Sequence, residues 1–370
     1  MNSFNKCSAK VGLLFVGVLF LAQAAFCQTV DTLAALQAAA EKAFPALHAP
    51  GMSAAASVSN KIVWSQGFGF CDLKKQKPAE AKTVYRYASI SKSITATAVM
   101  QLVEQGKVSI DAPIQKYVPS FPKKPEGEIT VRHLMTHTSG IRHYRGLEFL
   151  NNRQYDSVEE ALKIFQDDPL EFKPGEKYQY SSYGYNILAA VVEKASGKSF
   201  RDYLKEKIFQ PASMTATDLE ILAEPIKERT IQYVSFGKNF MPAPTVNLSC
   251  KWAGGGLAGT AEDLVHFCMA LNEGKILSAK SCEQMYRAGT LNDGSHTEYG
   301  FGWRLRVDSR GRRWVGHSGG ATGGTTHFLH NPESKIAVAL LTNAEDVKGL
   351  DKLALQLGEI LLTTEAATRK

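Results

Sequence analysis

The two ends of the chain show the hydrophobic pattern of strands, and its middle shows that of helices. Residues 52–70 read as two adjacent strands around a turn, and residues 299–341 contain four further short strand-like runs. Between them lie segments with helical spacing, the clearest being residues 94–103, 182–195 and 261–271. This order predicts an α/β fold of the α+β type, in which an antiparallel sheet built from both termini is flanked by helices.

The same order predicts how the domain is organised. Residues 28–370 would form one domain with two lobes, because roughly 340 residues are too many for one compact core. The α/β lobe would take residues 30–125 and 290–370. A helical lobe would be inserted between them over residues 126–289.

Residues 1–27 have the pattern of an export signal peptide. Lys6 and Lys10 flank the start of an apolar run, Val11 to Ala22, which is short for a membrane span. Cleavage after Ala24 or Cys27 would leave a secreted or periplasmic protein without a stable membrane span. The alternative is an uncleaved signal that anchors the protein in a membrane.

Charge and cysteine content exclude some functions. The formal charge of +7 falls to +5 without Lys6 and Lys10, and no basic run indicates a nucleic-acid partner. His133 and His137 have the i, i+4 spacing of zinc ligands but lack an H-E-x-x-H setting. No metal or cofactor is predicted. Four cysteines follow the signal without any C-x-x-C pair, and their disulfide pairing stays open: Cys71, Cys250, Cys268 and Cys282.

The chemistry of the chain centres on one serine and one lysine. The pattern S-x-x-K occurs three times, at Ser89/Lys92, Ser120/Lys123 and Ser235/Lys238. Only Ser89 stands between a strand-like run and a helical run; the second match contains a proline, and the third has no helical period. One helical turn places Ser89 and Lys92 on the same face. A buried lysine that has lost part of its charge can then take the serine proton.

Ser318 is a competing nucleophile, because residues 316–320 satisfy G-x-S-x-G. That motif needs a strand followed by a helix, with an acid and a histidine later in the chain. Here another strand follows, and about fifty residues remain. The pattern therefore favours Ser89 over Ser318.

Six segments, in a fixed order, resemble the serine β-lactamase-like family, which includes class C β-lactamases, D-Ala-D-Ala carboxypeptidases and related esterases. They are residues 89–92, 133–141, 180–185, 254–257, 299–303 and 317–320. The resemblance covers Thr32 to Leu362, and residues 129–144 and 178–197 look most similar to the mitochondrial members. It implies the β-lactamase/transpeptidase-like fold and a serine hydrolase that works through an acyl-enzyme.

The resemblance also implies a role for each matching position. Ser89 would be the acylated nucleophile, and Lys92 would take its proton. Tyr180, whose phenol pKa a nearby lysine can lower, would be the partner base that also protonates the leaving group. The backbone N–H groups of Ser89 and Gly320 would form the oxyanion hole. The substrate would contact Ser182, His317, Ser318 and Gly319.

Two positions depart from the lactamase pattern and narrow the expected substrate. Ser182 stands where lactamases have asparagine, and His317 stands where they have lysine. Because a histidine is mostly neutral at pH 7, a cation that holds a substrate carboxylate is missing. If His317 nevertheless binds an anionic substrate as imidazolium, KM should rise between about pH 5.5 and 8.

We therefore expect an exported hydrolase of a peptide amide or ester, acting on a small-molecule or peptide substrate, with weak or no β-lactamase activity. Two alternatives stay open. One is a peptidoglycan DD-peptidase or true β-lactamase. The other is a catalytically silent binding or assembly protein on the same scaffold. The oligomeric state is not predicted.

Overall fold

The computed structural model describes residues 31–368, with side chains through residue 363. The predicted export signal, residues 1–27, lies outside the described residues. In the described part, no helix is long and apolar enough to cross a membrane. The cysteines of this part are buried and carry free thiols: Cys71, Cys250, Cys268 and Cys282.

The order of elements along the chain is strand-rich, then helix-rich, then strand-rich. The strands are β1 (Gly51–Val58), β2 (Lys61–Asp72), β3 (Lys77–Pro78), β4 (Tyr85–Arg86), β5 (Asp218–Leu219), β6 (Tyr233–Phe236), β7 (Asn239–Pro242), β8 (Leu257–Gly259), β9 (Arg304–Val307), β10 (Arg313–Ala321), β11 (Gly324–Asn331) and β12 (Ile336–Thr342). The helices are α1 (residues 31–43), α2 (Ser91–Glu104), α3 (Val131–Met135), α4 (Val158–Leu162), α5 (Ser182–Ser196), α6 (Phe200–Leu204), α7 (Trp252–Gly255), α8 (Ala261–Asn272), α9 (Ala279–Met285) and α10 (Leu350–Thr368).

Seven strands form one antiparallel sheet in the order β3-β2-β1-β12-β11-β10-β9. At its centre, β1 from the early part of the chain pairs with β12 from the late part, with Met52 opposite Thr342 and Ser57 opposite Ala337. The remaining pairs join strands that follow one another in the chain, as hairpins do. The predicted antiparallel sheet built from both termini is therefore confirmed.

Helices cover both faces of this sheet, because successive side chains of a strand point to opposite sides. Along β1, Ala54 and Ala56 pack in one cluster with Trp314, on the side of α1 and α10. The intervening Ala55 belongs to a larger cluster with Val99 of α2. The sheet thus separates two cores, and the larger one lies on the side of the candidate nucleophile.

Helix α2 follows the candidate nucleophile and is buried on all sides over its first three turns. It packs against α5 and α7. Two of its hydroxyls donate to backbone carbonyls of neighbouring segments: Ser93 Oγ to the Gly302 carbonyl (2.6 Å), and Thr95 Oγ1 to the Ala253 carbonyl in α7 (2.9 Å). Because buried polar groups need partners, these bonds fix the first turns of α2 relative to the turn at Gly302 and to α7.

The middle of the chain holds strands as well as helices. β4, β8 and β5 form a three-stranded sheet, and β6 pairs with β7. β4 lies within the strand-like run predicted before Ser89, whereas β5 and β8, with two and three residues, carry too little alternation to be found in a sequence. Helix α8, which lies between residues 126 and 289, packs against β1 and β12 of the large sheet. The division into two lobes stays a prediction.

Two predicted elements have different bounds in the structure. The strand predicted from residue 299 begins only at Arg304, because Gly302 adopts a φ of 82° and turns Trp303 into the core. A Cβ at Gly302 would lie 2.6 Å from Ala96 Cβ, so the turn requires glycine. The helix predicted over residues 199–208 is α6 followed by a wider π-type turn at Lys205–Phe209.

Candidate active site

Ser89 lies in a tight turn between β4 and α2. The turn is a single 3₁₀ stretch, Ala88–Ile90, and Ala88 has a φ of 50°, in a region that non-glycine residues rarely adopt. Ser91 stabilises the turn, because its Oγ donates to the Ala88 carbonyl (2.7 Å) and accepts from the Leu257 N–H (3.2 Å). Ser89 itself is half-buried, whereas both of its neighbours are buried.

Lys92 lies one helical turn beyond Ser89, and its side chain is completely buried. Its Nζ lies 3.1 Å from Ser89 Oγ and 3.0 Å from Ser182 Oγ, and it donates to the Gly254 carbonyl. Within the described residues these oxygens are its hydrogen-bond partners, and none belongs to a carboxylate. The structure therefore brings together the serine and the lysine that the sequence paired.

Burial lowers the pKa of Lys92 well below its usual value, and the positive charge of Arg304 lowers this pKa further. A lysine without a carboxylate partner loses its proton more readily, because desolvation disfavours the charged form. The amine is thus suited to take a proton from the adjacent Ser89 hydroxyl.

Tyr180 lies directly beside this pair. Lys92 Nζ is 4.8 Å from the centroid of its ring. Burial raises the pKa of the Tyr180 phenol, and the Ser89 hydroxyl and the Arg304 charge offset that effect only in part. The expectation that a nearby lysine would lower this phenol pKa is therefore wrong, because desolvation outweighs the charge effect. A neutral phenol is better suited to donate a proton than to take one.

Histidine and tyrosine rings hold Tyr180 in place. The ring of His137 packs against those of Tyr180 (4.3 Å between centroids), Tyr299 (4.6 Å) and Tyr185 (5.2 Å). His137 Nδ1 accepts the N–H of Ser181, which follows Tyr180 in the chain. The sequence favours a structural histidine at this position over a zinc ligand, and the partners of His137 in the structure are a backbone N–H and aromatic rings.

His317, predicted to contact substrate, is buried and uses both ring nitrogens internally. Its Nδ1 lies 2.6 Å from the Ser318 carbonyl, which can only accept, so Nδ1 carries the hydrogen. Its Nε2 lies 2.9 Å from the Tyr299 hydroxyl. Burial lowers the His317 pKa well below its usual value, and the positive charge of Arg304 lowers it further. The ring is neutral, and this arrangement does not support the predicted ionic contact with substrate.

The strand that carries His317 lies against the Ser89 turn. At Gly319, a Cβ would lie 2.3 Å from Thr326 Oγ1 and 2.5 Å from the Tyr87 carbonyl, so the close approach requires glycine. Gly320 faces open space, since a Cβ at this position would have no atom of the described residues within 4 Å. Ser318 lies inside β10, which continues through a turn into β11 and not into a helix, so the context of a G-x-S-x-G nucleophile is missing.

Two cavities flank the site. A cavity of about 60 Å³ is bordered by Ser89, Ser182 and Gly320. A larger cavity of about 570 Å³ is bordered by His317, Tyr178 and Arg304. The predicted nucleophile and the predicted oxyanion-hole residue thus share the smaller cavity.

Several residues of the site have no role that the sequence alone assigns. Gly254 and Tyr299 lie in segments that carry the family resemblance, so the sequence signals their position but not their hydrogen bonds. Arg304 follows such a segment, and its guanidinium lies 5.6 Å from the centroid of the Tyr180 ring. His143 and Lys251 line the smaller cavity. His143 lies within residues 129–144, which carry the family resemblance, whereas no pattern in the sequence marks Lys251.

Comparisons with known proteins agree with this geometry. The family model described as "Beta-lactamase" matches residues 35–360. The serine beta-lactamase-like protein LACTB, mitochondrial, of Homo sapiens is 31% identical, over 84% of this chain and 76% of that protein. Penicillin-binding protein 4* of Bacillus subtilis (strain 168) is 28% identical, over 83% of this chain and 71% of that protein. The chain therefore belongs to the beta-lactamase family.

A solved structure supports the same assignment. The octameric penicillin-binding protein homologue from Pyrococcus abyssi superimposes with a TM-score of 0.77 at 28% identity. The match covers 89% of this chain and 77% of that chain. The β-lactamase/transpeptidase-like fold expected from the resemblance is confirmed.

Proposed function

We propose that this protein is an exported serine hydrolase that cleaves a peptide amide or ester through an acyl-enzyme on Ser89. The observation that carries the proposal is the 3.1 Å distance between Lys92 Nζ and Ser89 Oγ, at a lysine that is completely buried and has no carboxylate partner in the described part of the chain. Membership of the beta-lactamase family supports the same reaction class.

In this mechanism, the neutral Lys92 amine takes the Ser89 proton as Oγ attacks the substrate carbonyl carbon. The backbone N–H groups of Ser89 and Gly320 stabilise the oxyanion that forms. Each such donor typically contributes about 3–4 kcal/mol. The proposal for Gly320 rests on the shared cavity and on the open space at its Cα.

Tyr180 is proposed to donate its phenol proton to the leaving nitrogen or oxygen when the tetrahedral intermediate collapses. Lys92, which holds the serine proton, lies over the same ring and restores the phenol. Water then attacks the acyl group by the reverse sequence, which releases the acid and returns the proton to Ser89. The raised pKa of Tyr180 supports this donor role, because the phenol stays protonated at neutral pH.

Weak or absent β-lactamase activity is part of the proposal. Ser182, at the lactamase asparagine position, is 3% exposed and lies 3.0 Å from Lys92 Nζ, so its hydroxyl is engaged within the protein. His317, at the lactamase lysine position, is neutral and enclosed. Neither side chain provides the amide or the positive charge with which the lactamase asparagine and lysine recognise a β-lactam. Ser318 and Gly319 then contribute to the substrate site through their strand backbone.

Labelling with a fluorophosphonate probe tests the nucleophile. We expect the wild-type protein to be labelled, Ser89→Ala to be unlabelled, and Ser318→Ala to be labelled like the wild type. Labelling that persists in Ser89→Ala and disappears in Ser318→Ala would overturn the choice of Ser89.

A substrate panel, with each reaction run beside Ser89→Ala, separates the alternative functions. It contains acyl esters, L-peptides, D-amino peptides and a chromogenic cephalosporin. We expect Ser89-dependent turnover of esters or peptides and little turnover of the cephalosporin. Fast cephalosporin or D-Ala-D-Ala cleavage would favour the β-lactamase or DD-peptidase alternative. A folded protein without labelling or turnover would favour the silent binding protein.

Export is proposed from the sequence pattern of residues 1–27. A relative named as mitochondrial and a bacterial penicillin-binding protein both match this chain, so relatives do not decide between compartments. Cell fractionation, with mass determination of the mature N-terminus, tests cleavage after Ala24 or Cys27. A full-length protein in the membrane fraction would favour the anchored form.

A further inference from the structure

A buried lysine without a carboxylate partner lies beside the candidate nucleophile. Lys251 is 5% exposed, and its Nζ donates to the Phe149 carbonyl (2.7 Å). Its ammonium group lies 4.7 Å from the ring centroid of Phe149 and 5.1 Å from that of Tyr144. Within the described residues, no carboxylate forms an ion pair with it. Glu148, next to Phe149, is engaged by Arg142 through two hydrogen bonds of 2.7 and 2.9 Å.

This arrangement leaves Lys251 with donors to spare. An ammonium group has three N–H donors, and the Phe149 carbonyl takes one of them. Burial lowers the pKa of Lys251, as it lowers that of Lys92. A ligand anion beside the amine would favour the charged form of Lys251 through a charged hydrogen bond. Lys251 borders the same small cavity as Ser89 and Gly320. The spare donors therefore belong to the cavity that the proposed nucleophile and oxyanion-hole residue also line.

His143 offers a second donor at the same cavity. Its Nδ1 accepts the N–H of Ser182 (3.2 Å). Burial is the main cause that lowers the His143 pKa to about 4, so the ring is neutral at pH 7. In a neutral ring whose Nδ1 accepts, Nε2 carries the hydrogen and can only donate. His143 and Lys251 thus present two donors, with Tyr144 and Phe149 as aromatic walls.

We propose that Lys251 and His143 form an acyl-side subsite that selects a short acyl group with a carboxylate at its far end. The inference deepens the proposed function and rests on it, because the acyl group is defined by attack of Ser89. The cavity is small, about 60 Å³, so the group that fits is short. The carboxylate accepts from the ammonium group of Lys251 and from Nε2 of His143.

Two esters with the same leaving group test the subsite. The 4-nitrophenyl monoester of fumaric acid carries a carboxylate where 4-nitrophenyl crotonate carries a methyl group, and its trans double bond keeps the carboxylate away from its own ester. We expect kcat/KM to favour the fumarate ester in the wild type. In Lys251→Met, which keeps the packing between the two rings, that preference should fall by about tenfold or more.

The controls distinguish recognition of the substrate carboxylate by Lys251 from a contribution of Lys251 to the fold. Lys116→Met removes an exposed lysine that lies 5.8 Å from the centroid of the Tyr117 ring, and it should leave the preference unchanged. Lys251→Arg should retain much of it. If Lys251→Met lowers kcat/KM for both esters by the same factor, or if the wild type has no preference, the proposed subsite is wrong.

A binding measurement tests the subsite independently of the proposed catalytic function. In Ser89→Ala, calorimetry with the monoamide of fumaric acid and with crotonamide reports recognition without turnover. We expect the acid to bind more tightly, and the difference to be lost in Ser89→Ala/Lys251→Met. An inactive wild type that still shows this Lys251-dependent difference would contradict the proposed function and support the subsite. No difference in binding would overturn the subsite.

Discussion

The Tyr299 hydroxyl lies 2.9 Å from Nε2 of His317 and donates to it, because Nδ1 of the same ring donates to the Ser318 carbonyl. The histidine that replaces the lactamase lysine is therefore a neutral ring fixed at both nitrogens. It supports the strand edge and Tyr299 instead of presenting a charge to the substrate.

The first prediction concerns the pH dependence of substrate binding. The His317 pKa lies well below its usual value, so the ring does not change charge between about pH 5.5 and 8. We expect KM for an anionic substrate to stay flat over this range, contrary to the rise expected from the sequence. Steady-state kinetics with wild type and His317→Gln measure it. A rise in KM with a midpoint near 6.5 that disappears in His317→Gln would contradict the structure.

The second prediction concerns Lys92 as the base. Its Nζ lies 3.1 Å from Ser89 Oγ, so Lys92→Met removes the proton acceptor while keeping the length of the side chain. We expect the rate of fluorophosphonate labelling to fall by about 10²–10⁴-fold. The inhibition constant of a product acid should change little, because Lys92 acts on the nucleophile and not on bound substrate. Weak binding with nearly normal labelling would remove Lys92 from the role of base.

Much of the fold could be predicted from the sequence, because long elements repeat their pattern many times. The strand pairs at both ends and α5 and α8 had enough alternation or helical period to be found. Strand β4 falls within the strand-like run predicted just before Ser89. The two-residue strands β3 and β5 were too short to be found; β3 pairs with the neighbouring β2, and β5 pairs with the distant β8. The late start of β9 depends on Gly302 fitting against Ala96, a contact between segments far apart in the chain.

The site was predictable where its residues are close in the chain and less so where the fold brings them together. Ser89 and Lys92 share one helical turn, so their spacing already placed them together. The direction of the Tyr180 phenol pKa depends on how deeply its ring is enclosed, and spacing does not report burial. The same holds for Lys251. Its Nζ donates to the carbonyl of Phe149, which lies about a hundred residues earlier in the chain, so the sequence does not show that the two residues meet.

The third prediction uses two neighbouring glycines as a matched pair. In Gly319→Ala, the new methyl group would lie 2.3 Å from Thr326 Oγ1 and 2.5 Å from the Tyr87 carbonyl, whereas in Gly320→Ala it would meet no atom within 4 Å. We expect Gly319→Ala to lower the free energy of unfolding by about 1–3 kcal/mol or more and to slow labelling of Ser89. Gly320→Ala keeps its backbone N–H and should unfold like the wild type.

Thermal and urea unfolding, with labelling of both variants, test this pair. Equal stability of Gly319→Ala and the wild type would show that β10 does not pack against the Ser89 turn as closely as the structure has it. A loss of stability in Gly320→Ala of the same size would show that the position is enclosed.

The last prediction links the Lys92 pKa to stability. The folded-state pKa is well below the unfolded value of about 10.4, so the unfolded chain binds a proton at Lys92 that the folded chain resists. Above the unfolded pKa, Lys92 is neutral in both the folded and the unfolded chain, so its burial does not require the loss of a proton. As the pH falls below it, the unfolded state gains protons and the wild type loses stability, until the pH reaches the folded pKa and the loss stops growing. Lys92→Met has no such group, so the free energy of unfolding of this variant minus that of the wild type should increase as the pH falls from about 10.5. Urea unfolding of both proteins across this range measures the difference. A difference that stays constant with pH would mean that Lys92 keeps its proton in the folded protein. A charged amine could not act as the base for Ser89.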